Sequence, residues 1–256
     1  MRKIVLLISS LAFLAGYQIS AVAAGISITE YRAYNVVHQS LIEDFSPTST
    51  LNGVNNIGTW SFNDIDKGQI DHDNGFGKTV SLGDGKYAWQ ISEWSASHPS
   101  FGTHTRSSPF TGDYIKKNVV SLSFEARVVN DIPMRKGRPI TLVLRGHDGF
   151  TLYKTLFYCE PDGNEVDCEN GSELPTNWTK YTFSIPKTFA QAKQEGWGIY
   201  NLKDIDDDYK LQHYFNSVMS DVQKVDFMFG APRVLYGIQE FHIEATRVTI
   251  TTALKH

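Results

Sequence analysis

Apolar and polar side chains alternate with a period of two through the middle and end of the chain, the pattern of strands that bury one face. In "VVSLSFEARVV", Val120, Leu122, Phe124, Ala126 and Val128 fall on one face, and Ser121, Ser123, Glu125 and Arg127 on the other. "ITLVLRG" repeats the alternation with Ile140, Leu142 and Leu144, and "TKYTFSIP" with Tyr181, Phe183 and Ile185. Two further strands are predicted in "KVDFMFGAP", through Val225, Phe227 and Phe229, and in "QEFHIEATRVTI", through Phe241, Ile243 and Ala245. In the last of these Val248 and Ile250 continue in the opposite phase, so a bulge near Thr246 is expected.

One segment has helical spacing instead. In "DDDYKLQHYFNSVMSDV", Leu211, Tyr214, Phe215, Val218 and Met219 share a face behind the capping candidates Asp206 and Asp207. "FAQAKQ" predicts a shorter helical turn before Gly196. Many strands and few helices predict an all-β fold, an antiparallel sandwich of jelly-roll type with one or two short helices, because each half-buried sheet needs a second apolar layer.

The start of the chain has a different pattern. Arg2 and Lys3 precede an apolar run from Ile4 to Ala15, and small residues follow. This is the make-up of a secretory signal peptide, too short for a permanent bilayer span of about 20 residues. Residues 1–24 are therefore expected to be removed and residues 25–256 to form one domain, secreted or periplasmic, with no transmembrane segment in the mature chain. Processing removes two of the 24 Lys and Arg and none of the 28 Asp and Glu, moving the net charge from −4 to −6. With basic residues scattered as well as outnumbered, nucleic acid is not an expected partner.

Export bears on the two cysteines, Cys159 and Cys168, which flank the turn residues Pro161, Asp162, Gly163 and Asn164. In an oxidising compartment such a pair is expected to form a disulfide, a local clamp of roughly 2–3 kcal/mol for so short a loop. Zinc is the weaker alternative, since its cysteine pairs are usually spaced more closely.

The order of motifs resembles the laminin B-type module of secreted bacterial proteins, a jelly-roll sandwich related to galactose-binding-like domains. The likeness runs through "IEDFSPTSTLNGVNNIGTWSF", "SSPFTGDYIKKNVVSLSFEARV", "NWTKYTFSIP", the Gly-Trp of "EGWG" and "YFNSVMSDVQKVDFMFG", roughly residues 42–250. It implies a non-catalytic extracellular module that binds carbohydrate or a matrix component.

Candidate chemistry concentrates in "YAWQISEWSASHPSFGTHTRSSPF". Trp89, Trp94, His98, His104 and Arg106 combine flat rings, which stack on sugar C–H faces, with side chains that hydrogen-bond hydroxyls; the competing reading places Trp89 and Phe101 in the core. Trp197 and Tyr200 offer a second stacking surface. In "FNDIDKGQIDHDNGFGK", Asp71 and Asp73 resemble part of a calcium loop and are the candidate ligands of a structural Ca2+, against a reading as solvated turn carboxylates. No other cofactor is expected.

Zinc-protease and nucleophile-elbow motifs are absent, and "GDGKYA" matches a dinucleotide pattern only as a string. A polysaccharide lyase or glycoside hydrolase stays open as an alternative, with Tyr114, His147, Asp148 and His242 as its candidates by chemistry. So does a structural or host-directed protein-binding factor.

Overall fold

The computed structural model describes residues 18–23, 26–33, 36–46, 61–64, 69–70, 77–95, 99–103, 108–129, 139–156, 175–200, 207–230 and 239–254. They form two antiparallel sheets and two helices, the architecture expected from the alternation.

The larger sheet has eight strands. β1 (Gln18–Ala23), β2 (Ile26–Ala33) and β3 (Val36–Glu43) lead to β15 (Gln239–Ala253), followed by β7 (Lys86–Ser95) and β6 (Gly77–Gly83). On its other side β15 carries β9 (Val119–Val128), which pairs in turn with β12 (Thr179–Ser184). β15 is long enough to serve β7 through residues 239–245 and β3 through residues 248–253. The expected bulge lies between those halves: pairing with β9 shifts register between Thr246 and Thr249, and Arg247 takes a φ of 51°. That extra step lets Ile243, Ala245, Val248 and Ile250 all face the core. The string Gly83-Asp84-Gly85 is the β6–β7 hairpin turn, with Asp84 and Gly85 both at positive φ.

β1 lies inside the expected leader. Removal of residues 1–24 would therefore leave β2 as the edge of this sheet.

The smaller sheet runs in the order β13 (Gly198–Tyr200), β11 (Thr151–Leu156), β10 (Ile140–Gly146), β14 (Val222–Phe229), β8 (Pro99–Thr103), β4 (Ser61–Asp64) and β5 (Gln69–Ile70). Rings from both sheets meet at the centre. Phe124 of β9 lies 4.5 Å from Phe227 and 5.4 Å, edge-on, from Phe101. Aromatic pairs in such tilted and edge-on arrangements contribute about 0.5–1.5 kcal/mol each beyond their burial.

α2 (Asp208–Ser220) closes one end, burying Phe215, Val218 and Met219. Its N-cap is Asp207, whose carboxylate accepts from the amides of Tyr209 and Lys210 at 3.0 and 3.3 Å. The short α1 (Phe189–Gln194) is capped by Thr188. Gly146 lets α2 approach, since a Cβ there would sit 2.9 Å from Cα of Val218.

Candidate functional site

Of the residues singled out in sequence, Trp89, Trp94, Trp197 and Tyr200 fall among the described residues. Trp89 is 1% exposed and packs near Phe45, so it is a core side chain with no face open to a ligand. Trp94 stands opposite Glu240 in the β7–β15 ladder. His98, His104, Arg106, Asp71, Asp73, Cys159 and Cys168 lie outside the described residues. Trp197, at 9% exposure, also belongs to the core.

The four candidates for acid–base chemistry lie on three separate elements. Tyr114 is buried, its hydroxyl donates to the carbonyl of Phe110 at 2.6 Å, and burial pushes its phenol far above the usual range. His147 and Asp148 are exposed on the β10–β11 turn, where Nδ1 of His147 meets Gln223 at 2.9 Å and Asp148 accepts from the Ser217 hydroxyl at 3.0 Å. His242 belongs to β15 in the other sheet.

A denser constellation lies on the outward side of the smaller sheet. The alternation that sends Val225, Phe227 and Phe229 of β14 inward sends Lys224, Asp226 and Met228 outward. Cross-strand pairing then sets Lys224 beside Arg145, Arg145 beside Thr151, and Thr151 beside Tyr200. The next row contains Asp226, Val143, Tyr153 and Gly198, with Gly102 on the far side of Asp226.

Two glycines make this face close-packed. A Cβ on Gly198 would come within 2.3 Å of the Tyr153 ring, so that ring lies flat across the neighbouring strand. A Cβ on Gly102 would lie 1.9 Å from Oδ1 of Asp226. The carboxylate in that space pairs with Lys224, Nζ to Oδ2 at 3.3 Å. Both ends of the pair are buried, at 8% exposure for Lys224 and 0% for Asp226, although they point away from the core. Burial holds the Lys224 ammonium below the usual lysine range, opposed by Asp226 and reinforced by Arg145.

The face thus carries a buried ion pair bordered by half-buried Tyr153, Tyr200 and Arg145. Among the described residues Arg145 engages no carboxylate. Phenol rings present apolar faces, and the guanidinium and ammonium donate hydrogen bonds, all from regular strands. The polar side of "KVDFMF" and the Arg ending "ITLVLRG" were visible in sequence, but the register that joins them with Tyr153 and Tyr200 was not.

A separate concavity of about 420 Å³ lies at one end of the sandwich, lined by Tyr114, Ile115, Asn118, Pro186, Lys187 and Met219. Its polar side chains are few, and Asn118 is tied to the carbonyl of Ala253 at 2.7 Å.

No protein-family model and no curated protein matches the chain. Among solved structures it is similar to an exo-β-agarase (TM-score 0.40, 11% identity, 68% of this chain and 22% of that one). It is similar also to a family 22 carbohydrate-binding module of Clostridium thermocellum (0.38, 8%, 79% and 90%) and to a family 28 module specific for non-crystalline cellulose (0.35, 10%, 74% and 85%). The chain spans less than a quarter of the agarase. At these TM-scores and identities no ligand or residue role transfers, and the sandwich rests on the pairing of its own strands.

Proposed function

We propose that this protein is an exported, non-catalytic carbohydrate-binding module of the laminin B-type kind, and that it holds a polysaccharide on the outward face of its smaller sheet. The observation that carries this reading is the juxtaposition of Tyr153, Tyr200 and Arg145, which engages no carboxylate among the described residues, around the buried Lys224–Asp226 pair. Sugar recognition needs apolar ring faces for C–H surfaces and fixed polar groups for hydroxyls. Strand-borne side chains supply both with little ordering cost on binding.

Affinity electrophoresis against a panel of plant and algal polysaccharides tests the reading. The expected result is retention by at least one polymer without loss of polymer length, and a weakening of about tenfold, the equivalent of about 1.4 kcal/mol, in Tyr153→Ala or Arg145→Ala. No retention by any polymer, or variants that bind like the parent, would count against it. New reducing ends or unsaturated sugars would move the protein to the lyase and hydrolase class.

A further inference from the structure

The opposite side of the sandwich carries a second constellation. On the outward face of the larger sheet, one row crosses from β7 through β15 and β9 to the residue before β12: Gln90, Glu244, Arg127 and Trp178. The Arg127 guanidinium donates through Nε at 2.8 Å and Nη2 at 2.7 Å to Oε2 of Glu244. Gln90 donates to the other carboxylate oxygen at 3.0 Å. The guanidinium carbon lies 4.7 Å from the centre of the Trp178 ring. The segment before β12 is anchored to β9 by the amide of Val128, which donates to the carbonyl of Pro175 at 2.9 Å.

This row fixes a guanidinium without consuming it. The Glu244 side chain is 6% exposed and that of Arg127 is 33% exposed. Glu244 takes Nε–H and one Nη2–H, leaving one N–H of Nη2 and both of Nη1 with no acceptor among the described residues. The Trp178 indole N–H donates to none of the described residues either. The neighbouring row adds Glu125, bridged to Arg247 at 3.1 Å and standing opposite exposed Lys180. Across the two rows, Arg127, Lys180 and Arg247 face Glu125 and Glu244, so the cations outnumber the carboxylates.

We propose that this row is a second glycan-binding site, for sugars that carry a carboxylate. A planar carboxylate matches the free edge of a guanidinium, and the sugar ring bearing it packs against the part of the indole that Arg127 does not cover. The row spans three strand spacings, about 14 Å, which suits a short run of residues in a polyuronate rather than a single sugar. The site goes beyond the tyrosine face and does not depend on it. With one site on each outward face, the protein would bridge two polysaccharide chains.

The test is affinity electrophoresis of the whole protein in polygalacturonate, in a sulfated galactan and in neutral xylan. Trp178→Ala removes the ring; Arg127→Lys keeps a cation beside buried Glu244 but loses the planar fork. Each variant is expected to lose at least tenfold in apparent affinity for polygalacturonate, with binding of neutral polymer and thermal unfolding close to the parent. Tyr153→Ala is expected to leave the polygalacturonate interaction in place. Parent-like binding of polygalacturonate by both variants, or no binding by the parent, overturns the site. A Trp178-dependent interaction with the sulfated polymer alone overturns the carboxylate assignment. Loss of neutral-polymer binding in Tyr153→Ala would sustain the first site whatever happens at the second, so the two proposals fail separately.

Discussion

Gly102→Ala tests the close packing of the buried Lys224–Asp226 pair against β8. The added Cβ would stand 1.9 Å from Oδ1 of Asp226 and 2.4 Å from the carbonyl oxygen of Val225. Ordinary contact needs well over 3 Å, so at least one neighbour has to move by more than 1 Å. The carboxylate can swing away only by disturbing its 3.3 Å contact with Lys224, a buried cation. The Val225 carbonyl can retreat only by opening the β8–β14 ladder, which has four registered pairs. Overpacking costs typically 1–3 kcal/mol, and breaking a buried ion pair about 3–5 kcal/mol. Partial relaxation along both routes gives an expected loss of about 3 kcal/mol, or about 6–12 °C in Tm for a chain of this size. Chemical denaturation and calorimetry on Gly102→Ala check this, with Gly149→Ala as the comparison. Gly149 also lacks a Cβ, but it sits at φ +77° with nothing within 4 Å, so only backbone strain of about 1 kcal/mol is expected there. A Gly102→Ala protein within about 0.5 kcal/mol of the parent would refute the close approach of Asp226 to β8.

Two further perturbations have definite signs. Burial raises the phenol of Tyr181, to about 12, and that of Tyr114 further, whereas the unfolded chain releases such protons near 10. Between those values the folded state holds more protons than the unfolded one, so stability is intact below pH 10 and falls as pH rises. Denaturation midpoints at pH 9, 10.5 and 11.5 should decline, and Tyr181→Phe should flatten the part of the decline between 10 and about 12. Asp207→Ala removes the acceptor for two amides at the start of α2 and should cost about 1 kcal/mol by chemical denaturation, with Asp207→Ser nearly neutral.

The alternation in sequence exposed the fold because period-two burial is a local property. Leu122, Phe124, Ala126, Tyr181, Phe183, Val225 and Phe227 all face the core as their spacing demands. The phase reversal after Ala245 could be read as a bulge for the same reason, since two apolar sets of opposite parity share the core only if one residue is added between them. The Asp207 cap and the face of α2 were also local signals.

The sites were less legible because both depend on register between strands far apart in sequence. In the aromatic stretch from Tyr87 to Phe110, two of the rings, Trp89 and Phe101, are core, and burial of that kind is not marked in the sequence. Meanwhile Gln90, Arg127, Trp178 and Glu244 come from four segments separated by up to 154 positions, and each on its own reads as an ordinary outward polar or aromatic residue. Their meeting follows from β15 taking β7 on one side and β9 on the other. A sandwich spends its strongest apolar positions on the interior, so recognition on a strand face falls to the opposite parity. There a lone Arg or Tyr is uninformative until pairing supplies its neighbours. Function in such a sequence therefore depends on which outward residues share a row, and the rows proposed for it in this protein are Tyr200–Thr151–Arg145–Lys224 on one sheet and Trp178–Arg127–Glu244–Gln90 on the other.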